Sequence, residues 1–245
     1  MTRLLTLNLQ HGVLGATGAV ASPDEFAAAL AGLRADAPDV VALQEVDRGQ
    51  PRSGGTDQAR AVAQALGLEH LRFAAAIEGD VRGPRRRPVR AGEHPGPAYG
   101  VAIASRYPVL AWFVQPLPGP ARDEPRVVLG ATLRTPHGPL AVACTHLSTR
   151  PGTAVAQLRR VRSAVTTVGA PVLLAGDLNL RPRLVRAATR DWLRAEARTF
   201  PTHAPNRQID HLLLWPGPGA TRLADARSLP LPISDHCGFL VQVLP

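Results

Sequence analysis

A chain of 245 residues with 45% apolar side chains can bury a sizeable core, which fits one α/β domain over 1–245 and excludes disorder by composition. No apolar run is long enough to cross a bilayer and no signal-peptide h-region opens the chain, so membrane insertion is not expected and an intracellular, cytoplasmic location is. The net charge of +9 invites an anionic partner, but all 28 basic residues are Arg, among abundant Ala, Pro, Gly and Val; a GC-rich coding bias accounts for this, so charge favours nucleic acid only modestly.

Thr2 to Gln10 alternates, with Leu5, Leu7 and Leu9 on one side and Thr6, Asn8 and Gln10 on the other, and predicts a strand. Ser22-Pro23-Asp24-Glu25 supplies an N-cap, a first-turn proline and the acid of a capping box for a helix that buries Phe26, Leu30 and Leu33 and stops near Pro38. Asp39 to Leu43 reads as a buried strand delivering Gln44 and Glu45. A second helix opens at Thr56, carries Val62 and Leu66, and ends at Gly67. Residues 78–97, rich in Gly and Pro and holding Arg82, Arg85, Arg86, Arg87 and Arg90, read as a loop, either facing substrate or merely solvated. Strands follow at Tyr99–Ala104 and Val109–Gln115, then a hairpin of Arg126–Arg134 and Leu140–His146. A helix spans about Thr153 to Val168 with Leu158, Val161 and Val165, before a buried strand at Val172–Ala175. After a helical stretch near 182–197, strands at Ile209–Trp215 and Phe239–Val243 complete the chain. Hairpins mixed with βα units predict an α/β (α+β) fold of two packed mixed sheets with helices outside.

The polar residues gather at strand ends. Asn8, Glu45 and His146 close three apolar runs, Asp177 and Asn179 follow a fourth, and Asp210 and Asp235-His236 stand where the last two begin. If those last strands run antiparallel to the others, the whole set shares one rim. Such oxygen donors suit a hard cation, and histidines beside carboxylates suit proton transfer near neutral pH. No zinc spacing, nucleophile elbow or glycine-rich phosphate loop occurs, which leaves metal-assisted hydrolysis of a phosphate ester as the chemistry that best uses the set. Cys144 and Cys237 make neither a disulfide framework nor a zinc site and are read as small buried fillers.

The ordered series Asn8, Gln44-Glu45, Tyr99-Gly100, His146, Gly176-Asp177-Leu178-Asn179, Asp210-His211 and Ser234-Asp235-His236 resembles the endonuclease/exonuclease/phosphatase superfamily. That resemblance implies a four-layer sandwich and a catalytic Mg²⁺ or Mn²⁺. It implies Glu45 as the main metal ligand, with Asn8 beside it and Asp235 assisting directly or through water. It also implies that Asp177 and Asn179 orient the attacking water and the phosphate, that Asp210 holds the ring of His236, and that His146 stabilises developing charge. It leaves the base role open between Asp177 and His236, the latter acting as base or as phosphate-binding acid. Tyr99 matches a position near the phosphate, and Arg126, after Glu124-Pro125, is a candidate substrate contact. His211 reads as structural, and His11, His70, His94, His137 and His203 as surface or supporting residues.

Taken singly, Asn8, Asp177 and Asn179 could each be turn formers and Tyr99 ordinary core; only the joint pattern carries chemistry. Three functions fit it. The first is a phosphodiesterase or nuclease, the second a phosphomonoesterase for a small or lipid-derived phosphate, and the third a catalytically silent phosphate- or nucleic-acid-binding module. A monomer is the starting expectation.

Overall fold

The computed structural model describes residues 1–83, 87–88, 96–166, 170–217 and 221–245. In the first sheet, β1 (Thr2–Asn8) is flanked by the parallel β2 (Val40–Arg48) and, on its other side, by an antiparallel C-terminal strand. The remaining strands are β3 (His70–Glu78), β4 (Arg87–Pro88), β5 (Ala98–Ser105), β6 (Val109–Leu117), β7 (Arg126–Thr135), β8 (Gly138–Thr145), β9 (Val172–Asp177), β10 (Leu193–Arg194), β11 (Asp210–Trp215), β12 (Arg222–Leu229) and β13 (Gly238–Leu244). The first sheet runs β12-β13-β1-β2-β5-β3-β4 and the second β10-β11-β9-β8-β7-β6. Parallel pairs β1/β2 and β8/β9 sit among antiparallel neighbours, so both sheets are mixed.

Between the sheets, Leu4, Val40, Ile103 and Phe239 of the first meet Leu129, Leu133, Leu173 and Leu214 of the second, all fully buried or nearly so. The outer face of the first sheet, with Leu5, Leu7, Val41 and Leu43, is covered by α1 (Pro23–Ala31) and α2 (Gln58–Leu66) through Phe26, Leu30, Val62 and Leu66. The outer face of the second is covered by α3 (Pro151–Val165) and α4 (Pro182–Ala188) through Leu158, Val161 and Val185. Helix, sheet, sheet and helix make the four layers expected. The predicted capping box is present: Ser22 Oγ accepts from Glu25 N and the Glu25 carboxylate accepts from Ser22 N at 2.9 Å.

The structure adds two strands to which the sequence pattern assigned no element, shortens one helix, and shows what the alternation in β1 divides. Residues 70–78 form β3, although its Ala-rich centre carries little strand propensity; burial against β5 decides it. Residues 222–229 form the edge strand β12, with a polar and largely exposed sequence. The helix expected over 182–197 stops at Ala188, where Thr189 Oγ1 turns back to Val185 O at 2.8 Å, and Leu193–Arg194 then pair with β11. Both faces of β1 are buried, so its alternation separates two cores and not core from solvent. Of the arginine-rich stretch, Arg85, Arg86, Arg90 and the side chain of Arg87 lie outside the described residues, as do His94 and the predicted helix end at Thr167 and Val168. Among the described residues, no helix is long and apolar enough to cross a membrane.

Candidate active site

β1, β2, β8 and β9 deliver their C-terminal ends to one rim, and the antiparallel β11 and β13 begin there. Asn8, His146 and Asp177 therefore meet Asp210 and His236 across the gap between the sheets.

Glu45 reaches the rim through a bulge. The pairing of β2 with β5 slips between Leu43 and Val46, and Glu45 takes φ 53°, a left-handed conformation that a glutamate rarely adopts. Gln44 anchors the distortion from inside. Its Oε1 accepts from Thr6 Oγ1 at 3.1 Å, and its Nε2 donates to Cys144 Sγ in the opposite sheet at 3.2 Å. Cys144 is thus a buried filler that also accepts from Gln44 and donates to Leu43 O at 3.2 Å; burial pushes its thiol up to about 12. Asn8 Nδ2 donates to Glu45 Oε1 at 3.0 Å and to Asp177 Oδ2 at 3.1 Å, tying two carboxylates together, while its Oδ1 accepts from Gln10 N.

The turn after β9 aims Asp177 and Asn179. Asn179 sits at φ 51°, which its short polar side chain tolerates, and its N–H donates to Asp177 Oδ1 at 2.8 Å. Its amide donates to Leu147 O at 3.0 Å and lies 3.1 Å from His146 Nε2. Arg126 Nη1 donates to Glu124 at 2.6 Å and to His146 Nδ1 at 2.8 Å. Since arginine only donates, Nδ1 is the acceptor of that bond, and Nε2 lies between Asn179 Nδ2 at 3.1 Å and Asp177 Oδ2 at 3.5 Å. Burial, then the charges of Arg126 and His236, hold this histidine well below its ordinary pKa, so it is neutral.

His236 is the opposite case. Its Nδ1 lies 2.9 Å from Asp210 Oδ2, while Nε2 faces Asp177 and Asp235, each at 3.8 Å. Burial opposes its charge, but Asp210, through charge and hydrogen bond, with Asp177 and Asp235, outweighs burial and raises the ring to about 9. Ser234 explains the tripeptide: its Oγ donates to Asn8 O at 2.7 Å and accepts from His236 N at 3.0 Å, fixing the histidine to the end of β1. Asp235 N donates to Gln10 Oε1 at 3.1 Å.

The carboxylates are crowded. Burial raises Asp177, and the charges of Asp210 and Glu45 add to it; burial likewise raises Glu45. Among the described residues Asp210 Oδ1 is buried without a partner, and ligand atoms of Asp177, Asp210 and His236 all lie within 4.8 Å of one another. An oxygen-rich, electronegative rim with an unsatisfied carboxylate oxygen fits a hard divalent cation. Tyr99 is buried beside it, its phenol raised well above the ordinary value by burial and by Glu45 and Glu124.

His211 takes no part. Its Nε2 is 2.8 Å from Leu180 O, and burial lowers it to about 4. A histidine held neutral in the fold but titrating at 6.5 when unfolded leaves stability intact above that pH and drains it as pH falls from 6.5 through about 4. We expect His211→Gln to lose up to about 3 kcal/mol less than the wild type between pH 7 and pH 4, read by urea denaturation; parallel curves would mean that the ring is not the titrating group.

The rim opens into a cleft of about 650 Å³ lined by Glu45, Tyr99, Arg126, His146, Asp177, Asn179 and His236. Every candidate site residue read from the sequence lies on this rim or directly against it. Arg181, Arg183, Phe200 and Arg207 also line the cleft, and the sequence did not point to them. The one signal for them in the sequence is the crowding of arginines within a few positions of Asn179 and Asp210.

The family model described as the Endonuclease/Exonuclease/phosphatase family matches residues 5–236. An endonuclease/exonuclease/phosphatase structure from Beutenbergia cavernae is 26% identical, superposes with a TM-score of 0.77, and is matched over 99% of this chain and 71% of that one. The mannosyl-6-phosphatase Bt3783 of Bacteroides thetaiotaomicron is 13% identical with a TM-score of 0.72, covering 100% of both chains. D. rerio TDP2 complexed with single strand DNA product is 17% identical with a TM-score of 0.71, covering 100% of this chain and 99% of that one. No curated protein matches.

Proposed function

The chain belongs to the endonuclease/exonuclease/phosphatase family, whose members are phosphoesterases, and on that premise we propose that it hydrolyses phosphate diesters with the help of a divalent cation, Mg²⁺ or Mn²⁺. One observation carries this reading: Glu45, Asp177, Asn179, His146 and His236, the last held from behind by Asp210, are drawn from both sheets and face a single open cleft.

Glu45 and Asp235 would hold the cation; Asn8, whose Nδ2 donates to Glu45 and Asp177 while its Oδ1 accepts from Gln10 N, would fix Glu45 in place. When bound, the cation polarises the phosphoryl oxygens and lowers the pKa of water. Asp177, raised toward neutrality, takes the proton of the attacking water, and Asn179 orients that water and the phosphate. His236 already carries its proton, so it binds a phosphoryl oxygen through Nε2–H while Asp210 keeps the ring in place. Neutral His146, steadied by Arg126, and the phenol of Tyr99 donate to the charge that develops in the transition state.

The test is turnover on a panel: bis(p-nitrophenyl) phosphate, p-nitrophenyl phosphate, single-stranded DNA, RNA, mannose 6-phosphate and inositol phosphates. EDTA should abolish hydrolysis of the diesters, Mg²⁺ or Mn²⁺ should restore it, and Glu45→Ala should fail to respond to either ion. Preference for monoesters would shift the reading toward a phosphatase. No turnover on any member, or turnover indifferent to EDTA, would sink it.

A further inference from the structure

The cleft is also lined by Arg181, Arg183, Leu184, Phe200, Arg207 and Ile209 (the arginine wall), and none of these side chains serves the chemistry above. Arginines nearby are engaged: Arg52 on Asp47 at 2.7 Å, Arg126 on Glu124 at 2.6 Å, Arg150 on Asp123 at 2.7 Å. Among the described residues, Arg181, Arg183 and Arg207 have no carboxylate partner. Unpaired guanidinium groups on one wall repel each other, and a polyanion lying along the cleft offsets that cost. The wall is also flat in part. The guanidinium of Arg207 lies over the Phe200 ring, 4.6 Å from its centroid, and the same ring meets the edge of His236 at 4.9 Å.

We infer that this part of the cleft is a nucleotide subsite: Arg181 and Arg183 hold a phosphate one or more positions beyond the scissile one, and a base stacks on the Phe200–Arg207 pair. The inference rests on the phosphodiesterase reading and narrows its substrate to single-stranded nucleic acid. A small sugar phosphate would leave both arginines and the stacked pair without a partner. A duplex does not present an unstacked base to an aromatic or guanidinium plane, whereas a single strand does.

Binding in EDTA isolates the wall from turnover. Fluorescein-labelled oligothymidylate is titrated by anisotropy across a salt series with wild type, Arg181→Ala/Arg183→Ala, Arg207→Ala, Phe200→Leu and the outlying Arg190→Ala. The double variant should raise Kd at least about tenfold and flatten the slope of log K against log salt by about 0.7 for each phosphate no longer neutralised. Phe200→Leu should weaken binding about five- to hundredfold, as expected for one stacked base, and leave the slope unchanged. Arg207→Ala should weaken binding comparably, and Arg190→Ala should match the wild type. Wall variants that bind as the wild type does, or no strand binding at low salt, would overturn the subsite. So would displacement of the strand by equimolar inositol hexakisphosphate, which would make the wall a polyphosphate site. The two readings fail separately. A chain that binds the strand through this wall but cuts nothing keeps the subsite and loses the hydrolase; one that cuts the small diester while ignoring wall substitutions does the reverse.

Discussion

Asp210→Asn is expected to lower kcat on a diester by about three orders of magnitude while leaving the fold as stable as before, or more so. Asp210 Oδ2 accepts from His236 Nδ1 at 2.9 Å and does two things at once. It fixes the ring so that Nε2 points into the cleft, and it supplies the largest charge that keeps the ring protonated. An asparagine there can turn its amide nitrogen toward Nδ1. The ring then keeps a single proton and loses the cation that would face the phosphate. Stability runs the other way. Among the described residues Asp210 Oδ1 is buried without a partner, and the Asp210 charge raises Asp177. Removing that charge relieves a buried repulsion, which offsets the lost ion pair with His236, whose Nδ1 keeps a hydrogen-bond partner in the asparagine. The signature is a split: kcat falls in steady-state assays while the urea midpoint holds or rises. Activity within tenfold of the wild type, or a loss accompanied by unfolding, would refute the orienting role.

The features legible in the sequence share a cause. Strand ends that carry Asn8, Glu45, His146 and Asp177 are preceded by uniform apolar runs, and a polar residue closing such a run must face solvent, a partner or a ligand. The rim is therefore legible without any geometry. The same logic does not extend to β3, where three consecutive alanines carry no period, nor to β12, an edge strand whose side chains are half in water. The left-handed backbone of Glu45 is equally hidden. Nothing in Gln44-Glu45 announces a bulge, because its cause is tertiary: Gln44 is held by Thr6 from the neighbouring strand and Cys144 from the other sheet. The Phe200–Arg207 wall lies in an irregular segment between strands, where no periodicity marks which side chains face inward.

The second large effect is structural, and it falls on the residue that carries Asp177. Gly176→Ala is expected to cost more than about 4 kcal/mol, the range reserved for a backbone clash in a packed interior. Gly176 has φ 145°, and a Cβ built on it would stand 1.9 Å from Thr145 O and 3.0 Å from Thr145 C. Those are main-chain atoms, and they are pinned. Thr145 pairs with Val128 in the next strand, its Oγ1 donates to Val127 O at 2.8 Å, and Leu147 N donates to Asp177 O at 2.9 Å just beyond. Relief therefore needs β8 and β9 to part at their C-terminal ends, which carry His146 and Asp177. Any molecules that do fold should then lose turnover as well, because displacing a reacting group by about 1 Å can cost a hundredfold. Gly152→Ala is the contrast. It lies in the first turn of α3 with nothing within 4 Å of its added Cβ, and should be neutral or stabilising by about 0.5–1 kcal/mol. Urea denaturation of the two variants reads the difference directly: equal midpoints would mean that the rim is loose enough to open, and that the close approach of Gly176 to Thr145 does not set the position of Asp177.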